Sequence, residues 1–314
     1  MKITTLIILF FTFIAFSCSI SESDEDTNNN TDNNPLPAET WITIPVPANP
    51  GNGMKWKFQA NLSDNFEYEA PSDDKGDIFF DKWDDWYHNS WTGPAPTEWS
   101  RTHSEVTDGK LLIKASRPEG TSKTNTGIIT SKKRVQYPVY IEARVKIMNS
   151  VLANGFWLLS PDDTQEIDIV EAYGSDRWTN EWFSPKRVHL SHHVFIRDPF
   201  QDWQPSDEGS FYTDGSTIWR DDFHRFGVYW KDPWNLEYYV DGKLVRTRSG
   251  MSEIDPLNYA EGTGLHKEMD IIINAEDQTW RAEQGLTPTD AELENVDNNT
   301  FKIDWIRVFK PVSN

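Results

Sequence analysis

The chain has 314 residues, of which 50 are Asp or Glu and 30 are Lys or Arg, giving a net charge of −20. Phosphate binding rests on cationic side chains, so this balance excludes nucleic acid and anionic lipid surfaces as partners. Fifteen Trp and an aromatic share of 13% exceed what a core needs, and the surplus suits flat platforms for sugar rings.

Met1-Lys2, an apolar run over residues 3–16 and then Ser17-Cys18 read as a secretory signal over residues 1–17, too short to span a membrane. Cys18 is the one cysteine, which excludes a disulfide and a cysteine metal site. Its place at the cleavage point resembles a bacterial lipoprotein signal, in which that cysteine is lipidated; plain secretion is the alternative. The protein is therefore expected to be exported, as an outer-membrane or cell-surface lipoprotein or as a secreted protein. Membrane contact is expected only through the N-terminal lipid. Residues 18–40 hold Ser, Asp, Asn, Thr and Pro with almost nothing apolar, the composition of a disordered tether. From Trp41 the chain turns aromatic and β-branched with no later linker, so one monomeric domain is expected over 41–312.

Most of that domain reads as strand. Residues 111–115, 127–131 and 155–160 are candidates, and residues 139–147 alternate cleanly, with Val139, Ile141, Ala143, Val145 and Ile147 on one face. Residues 236–246 read as a hairpin turning at Asp241-Gly242. Strands are expected over 269–274 and over 301–309, the latter alternating Phe301, Ile303, Trp305. A short helix is expected over 287–294, with Thr287 as cap and Pro288 at its first position. Many strands and little helix indicate an all-β sandwich.

At mid-chain stands Glu166-Ile167-Asp168-Ile169-Val170-Glu171. Alternation puts Glu166 and Asp168 on one strand face and the isoleucines on the other. Glu171 breaks the parity unless a bulge around Ile169-Val170 re-aims it. Three carboxylates then line one wall, where mutual repulsion keeps at least one protonated near neutral pH. A nucleophilic carboxylate beside a protonated one is the apparatus for cleaving a glycosidic bond. The Cα atoms of Glu166 and Glu171 lie roughly 13 Å apart along such a strand, and side chains leaning inward approach the separation of about 5–5.5 Å that retention requires. A solvated strand face or a cation site is the alternative reading of the acids alone.

These residues resemble the bulged active-site signature of glycoside hydrolase family 16, whose members are β-jelly-roll sandwiches of two antiparallel sheets with a concave substrate cleft. Its β-agarase branch is resembled by Asn89-Ser90-Trp91, Gly155-Phe156-Trp157, the run from His189 through His192, His193 and Arg197, and the run from Asn274 through Glu276 and Gln278 to Trp280. The resemblance spans the domain from Trp41 on. It implies an endo-acting, retaining hydrolase of agar-type galactan, with Glu166 as nucleophile, Glu171 as acid and base, and Asp168 tuning both. It also implies substrate-binding roles for Asn89, Trp91, Trp157, Asp163, His193, Arg197, Glu276 and Trp280; for each, a packing role is the alternative. His192 has the opposite parity and is expected to be structural. No cofactor is expected for catalysis. Members often hold a structural calcium, for which Asp64, the Gly109 backbone and Asp304 are candidates. A porphyranase or carrageenase would need extra cleft cations for sulfate; a surface lipoprotein that only binds glycans would leave the row of acids unexplained.

Overall fold

Alternating apolar positions build two facing sheets in the computed structural model, which describes residues 40–177 and 182–314. The expected signal, Cys18 and the tether up to residue 39 lie outside the described residues. Among the described residues one sheet has ten strands and the other eight. In the first, Val139–Lys146 and Thr300–Ser313 are neighbours and turn Ile141, Ala143, Val145, Ile306 and Val308 inward. The second runs Phe200–Trp203, Val188–Arg197, Gln165–Ala172, Ala153–Leu159, Asp270–Glu276, Ile128–Ser131, Trp83–Asp84. Its Phe156, Ile167, Ile169, Leu190, Ile271 and Ile273 meet the first sheet's side chains in the core. The all-β expectation holds, and pairing is antiparallel except between Thr97–Trp99 and Thr124–Thr126, which is parallel.

The Asp241-Gly242 hairpin forms as read, with both residues at positive φ, 48° and 78°, the backbone that a two-residue turn between twisted strands requires. Two readings are corrected. The short helix is Asp290–Leu293, capped by Thr289 in a reciprocal capping box with Glu292, while the Thr287 hydroxyl bonds the Asp277 carboxylate instead. Phe301 and Ile303 enter the core, but a register shift between Ile303 and Trp305 sends Trp305 to the outer face, 6.4 Å from the Trp41 ring. One extra residue reverses the parity of everything beyond it. Near Trp305, Arg307 is fully buried; it pairs with Glu142 through Nε at 2.6 Å and donates to the carbonyls of Trp41 and Ile44. The start of the domain is thereby fastened to the outer face of the first sheet, opposite the face on which the acids stand.

Candidate active site

The bulge that aims Glu171 is present. Against Ala153–Leu159, Asp168 pairs with Trp157 and Val170 with Phe156; against Val188–Arg197, Asp168 pairs with Ser191 and Glu171 with His189. The acid strand thus holds one residue more than either partner between those points. Ile169 and Val170, adjacent in sequence, both pack in the core. Two apolar side chains taken inward together return Glu171 to the face of Glu166 and Asp168, and all three line a concave cleft of about 990 Å³. A volume at the upper end of the range of roughly 300–1,000 Å³ for small-molecule sites suits a chain of sugars better than one ring.

At one end of the row, His193 stands opposite Glu166. Its Nε2 lies 3.3 Å from Asp168 Oδ2 and 3.8 Å from Glu166 Oε1, and its Nδ1 lies 2.8 Å from Asp202 Oδ1. Burial works against the imidazolium, but Glu166, Asp168 and Asp202 outweigh it and push the His193 pKa well above its ordinary value. Burial and then Asp168 push Glu166 upward, and His193 pulls it back. A cation wedged among three carboxylates lets two acids stand close without both being neutralised by protons. The ring stacks on Phe195, centroids 5.2 Å apart, and the Arg197 guanidinium lies 4.2 Å above the same Phe195 ring. His193 and Arg197 therefore share the cleft wall, as their parity predicts.

At the other end, Glu171 is caged by donors. Its Oε1 accepts from the Tyr173 hydroxyl and, at 3.0 Å, from Gln278 Nε2; Oε2 lies 3.2 Å from His189 Nδ1. Trp280 Nε1, which can only donate, bonds Gln278 Oε1 at 2.7 Å, and this fixes the amide with its NH₂ toward Glu171. Burial raises the carboxyl, but His189, Tyr173 and Gln278 together bring it down to about 2. Glu276 differs: burial dominates, the charges of Glu171 and Asp168 add to it, and its pKa rises to about 7. A chain of hydrogen bonds ties it to the cleft floor, Asn274 Nδ2 to Glu276 Oε1 at 2.8 Å and Trp157 Nε1 to Asn274 Oδ1 at 3.1 Å. Trp157 is 8% exposed and lies against Tyr87, so most of the ring is core and a narrow face reaches the cleft. Trp280, 39% exposed, stands at the strand exit as expected.

Asn89, Trp91 and Asp163 all line the cleft, but the first two lie in a loop and not on an alternating strand. That loop is organised around Asp163, which holds positive φ at 59°. Three consecutive residues converge on its carboxylate: the Tyr87 hydroxyl at 2.8 Å, His88 Nε2 at 2.6 Å and Asn89 Nδ2 at 3.2 Å. Asn89 Oδ1 in turn takes the Trp91 N–H at 2.8 Å, which orients Trp91, 44% exposed, at the cleft edge. His88 Nδ1 reaches Asp270 at 3.1 Å. Burial disfavours its cation, but Asp163 and Asp270 prevail and raise it to about 9. The ordinary His value is about 6.5, so this clamp contributes fully below pH 6.5 and is lost as pH rises through about 9. The melting temperature of His88→Gln is accordingly expected to fall below the wild type's at pH 6.5, with the gap narrowing by pH 10; a gap independent of pH would exclude a charged clamp.

Two further expectations meet the structure differently. His192 is buried with Nε2 3.0 Å from the Ile254 carbonyl oxygen, a structural histidine. The calcium set does not fit an ion. Asp64 accepts from Phe66 N, Tyr68 Oη and Trp83 Nε1 with Lys82 at 3.7 Å, and Asp304 accepts from Arg144 at 2.6 Å. Both acids are buried, not surface residues, and each already faces a protein cation; Gly109 serves the Asp108-Gly109 turn at positive φ. Tyr87, His88, Tyr173 and Asp202 belong to the site and are not marked by the sequence, and His189 and Gln278 stand in the resembling motifs without a role assigned to them. The parity that picks His193 also picks His189, four residues earlier; the others are joined to the acids only by the fold.

A bulged strand that presents three carboxylates to a long, aromatic-walled groove defines a glycoside hydrolase. The chain belongs to glycoside hydrolase family 16: residues 56–311 match the family described as "Beta-porphyranase A-D, GH16 domain". Within the family it falls in the β-agarase branch. It is 60% identical over 295 residues to "Beta-agarase B" of Zobellia galactanivorans, covering 87% of this chain and 83% of that protein. It is 59% identical over 284 residues to "Beta-agarase" of Phocaeicola plebeius, covering 86% and 89%. The crystal structure of "inactivated mutant beta-agarase B in complex with agaro-octaose" superposes with a TM-score of 0.84 at 58% identity, over 87% of this chain and all of that one.

Proposed function

We propose that this hydrolase cuts internal β-1,4-galactosidic linkages of agarose with retention of configuration, as an exported monomer. The observation that carries the reading is the pair of differently furnished carboxylates on one bulged strand, in a chain 60% identical to a β-agarase. Glu166 attacks the anomeric carbon, and His193, held by Asp202 and Asp168, supplies positive charge that favours its ionised form. Glu171 protonates the departing oxygen and then draws the proton from water. A sugar covering the carboxyl removes it from water and raises its proton affinity, loading it for the first half-reaction. The Tyr173, Gln278 and His189 donors stabilise the anion left behind. Asp168, between them, keeps the two charges in balance. Trp91 and Trp280 offer ring faces to sugars, and Asn89, Trp157, Asp163 and Glu276 hold the floor and rim in register. These residues carry every step without a cofactor.

The cleft lining favours a neutral polymer. Among the described lining residues Arg197 is the one guanidinium, and none is a lysine, whereas a sulfated galactan calls for several such groups. Export by the residues 1–17 signal, with lipidation of Cys18 and attachment to the outer membrane or cell surface, completes the proposal. On agarose, porphyran and carrageenan, new reducing ends are expected from agarose, and NMR of the earliest products should show the β-anomer first. Early α-anomer would overturn retention, and preferential release from porphyran would overturn the substrate.

A further inference from the structure

Among the donors around Glu171, His189 is the one whose surroundings have no other evident purpose. It stands directly opposite Glu171 across the bulge, with Nδ1 3.2 Å from Oε2. Phe211, paired with His189 in the next strand, stacks flat on the ring at 4.2 Å with planes 12° apart. Nε2 is buried and meets no hydrogen-bond partner among the described residues. A carboxylate oxygen only accepts, so Nδ1 is the nitrogen that donates. The stack fixes the ring plane, and the one polar contact fixes which nitrogen faces Oε2. The other oxygen is served independently. Tyr173 has a single proton, and because an ionised carboxylate is a stronger acceptor than the Gln278 amide oxygen, that proton goes to Glu171 Oε1.

We propose that His189 is a positioning residue for the acid/base carboxyl: its Nδ1–H holds Oε2 and sets how readily Glu171 releases and regains its proton in each half of the cycle. The inference rests on the assignment of Glu171 as acid and base. Other titratable or charged groups near Glu171 are Glu166, Asp168 and Tyr173 on or just after its own strand, Glu276 at the end of Asp270–Glu276, and Arg281 from the helix that follows. Neither Glu276 nor Arg281 makes a hydrogen bond to Oε2, so His189 alone controls that oxygen among the described residues.

The test is the pH profile of kcat at saturating agarose, which reports the carboxyl beneath bound sugar, for His189→Phe, His189→Asn and His189→Gln. Phenylalanine keeps the stack and loses the donor. The asparagine amide nitrogen falls close to the Nδ1 position, and that of glutamine close to Nε2. Losing the donor raises the proton affinity of Glu171, so the alkaline limb for His189→Phe and His189→Gln should move up by about one pH unit. His189→Asn should return it to the wild-type position. If His189→Phe does not fold, the Asn and Gln variants alone decide. Limbs that coincide with wild type in both His189→Phe and His189→Gln, with only a uniform fall in rate, would overturn the proposal, as would an asparagine variant that titrates like glutamine. Glu171→Gln separates this from the assignment beneath it: if that variant hydrolysed agarose at the wild-type rate, Glu171 would not be the acid/base, however the His189 variants titrate.

Discussion

Glu166→Gln should lower kcat on agarose by about 10⁴-fold or more, because no other group can form the glycosyl-enzyme bond. The amide keeps the volume and hydrogen-bonding capacity of the carboxyl, so the affinity for agarose oligosaccharides, measured by calorimetry, should stay within a few-fold of the wild type. The substitution also removes one of the three carboxylates that hold up His193. His193 should therefore titrate at lower pH in the variant, visible as an earlier loss of its imidazolium NMR signal as pH rises. Turnover that survives largely intact would move the nucleophile elsewhere on the strand, with Asp168 the next candidate by position.

Glu171→Gln is expected to lose about 10²–10⁴-fold on agarose for a different reason, and the difference is measurable. Without a proton donor, a poor leaving group departs slowly, but an aryl galactoside whose phenol leaves unaided should still form the glycosyl-enzyme. Water then attacks slowly for want of a base, whereas added azide needs none. Azide should therefore restore turnover in Glu171→Gln and give the β-glycosyl azide, whereas any azide product from Glu166→Gln should be the α-azide of direct displacement. An α-azide from Glu171→Gln would mean that its roles and those of Glu166 are exchanged.

The two glutamates are separated by five positions and are the same residue type, yet the fold gives them opposite settings. Glu166 faces Asp168 and a histidine shared among carboxylates, while Glu171 faces a phenol, an amide and an imidazole from three separate segments. Role is therefore set by the neighbours that the sandwich delivers. Most of those neighbours come from distant stretches, the His189 strand and the turn at Gln278, so nothing local to the acids announces them.

Period-two alternation alone placed Glu166 with Asp168 on one strand face and put Val139, Ile141, Ala143 and Val145 together on another, while the resemblance brought His193 and Arg197 to the acids. The broken parity at Glu171 was enough to require the bulge. The same reasoning failed at Trp305, where an extra residue left no imbalance of charge to mark it, and it has no hold on Asn89 and Trp91, which stand in a loop. The expected calcium set failed because a carboxylate looks the same in sequence whether a metal or a neighbouring Arg144 or Lys82 satisfies it. Local pattern thus determined which faces the strands present and where the chemistry stands. Tertiary structure alone decided the partners of each acid, because hydrogen bonding acts over about 3 Å in space and His88–Asp163, His189–Glu171 and Gln278–Glu171 are 75, 18 and 107 residues apart along the chain.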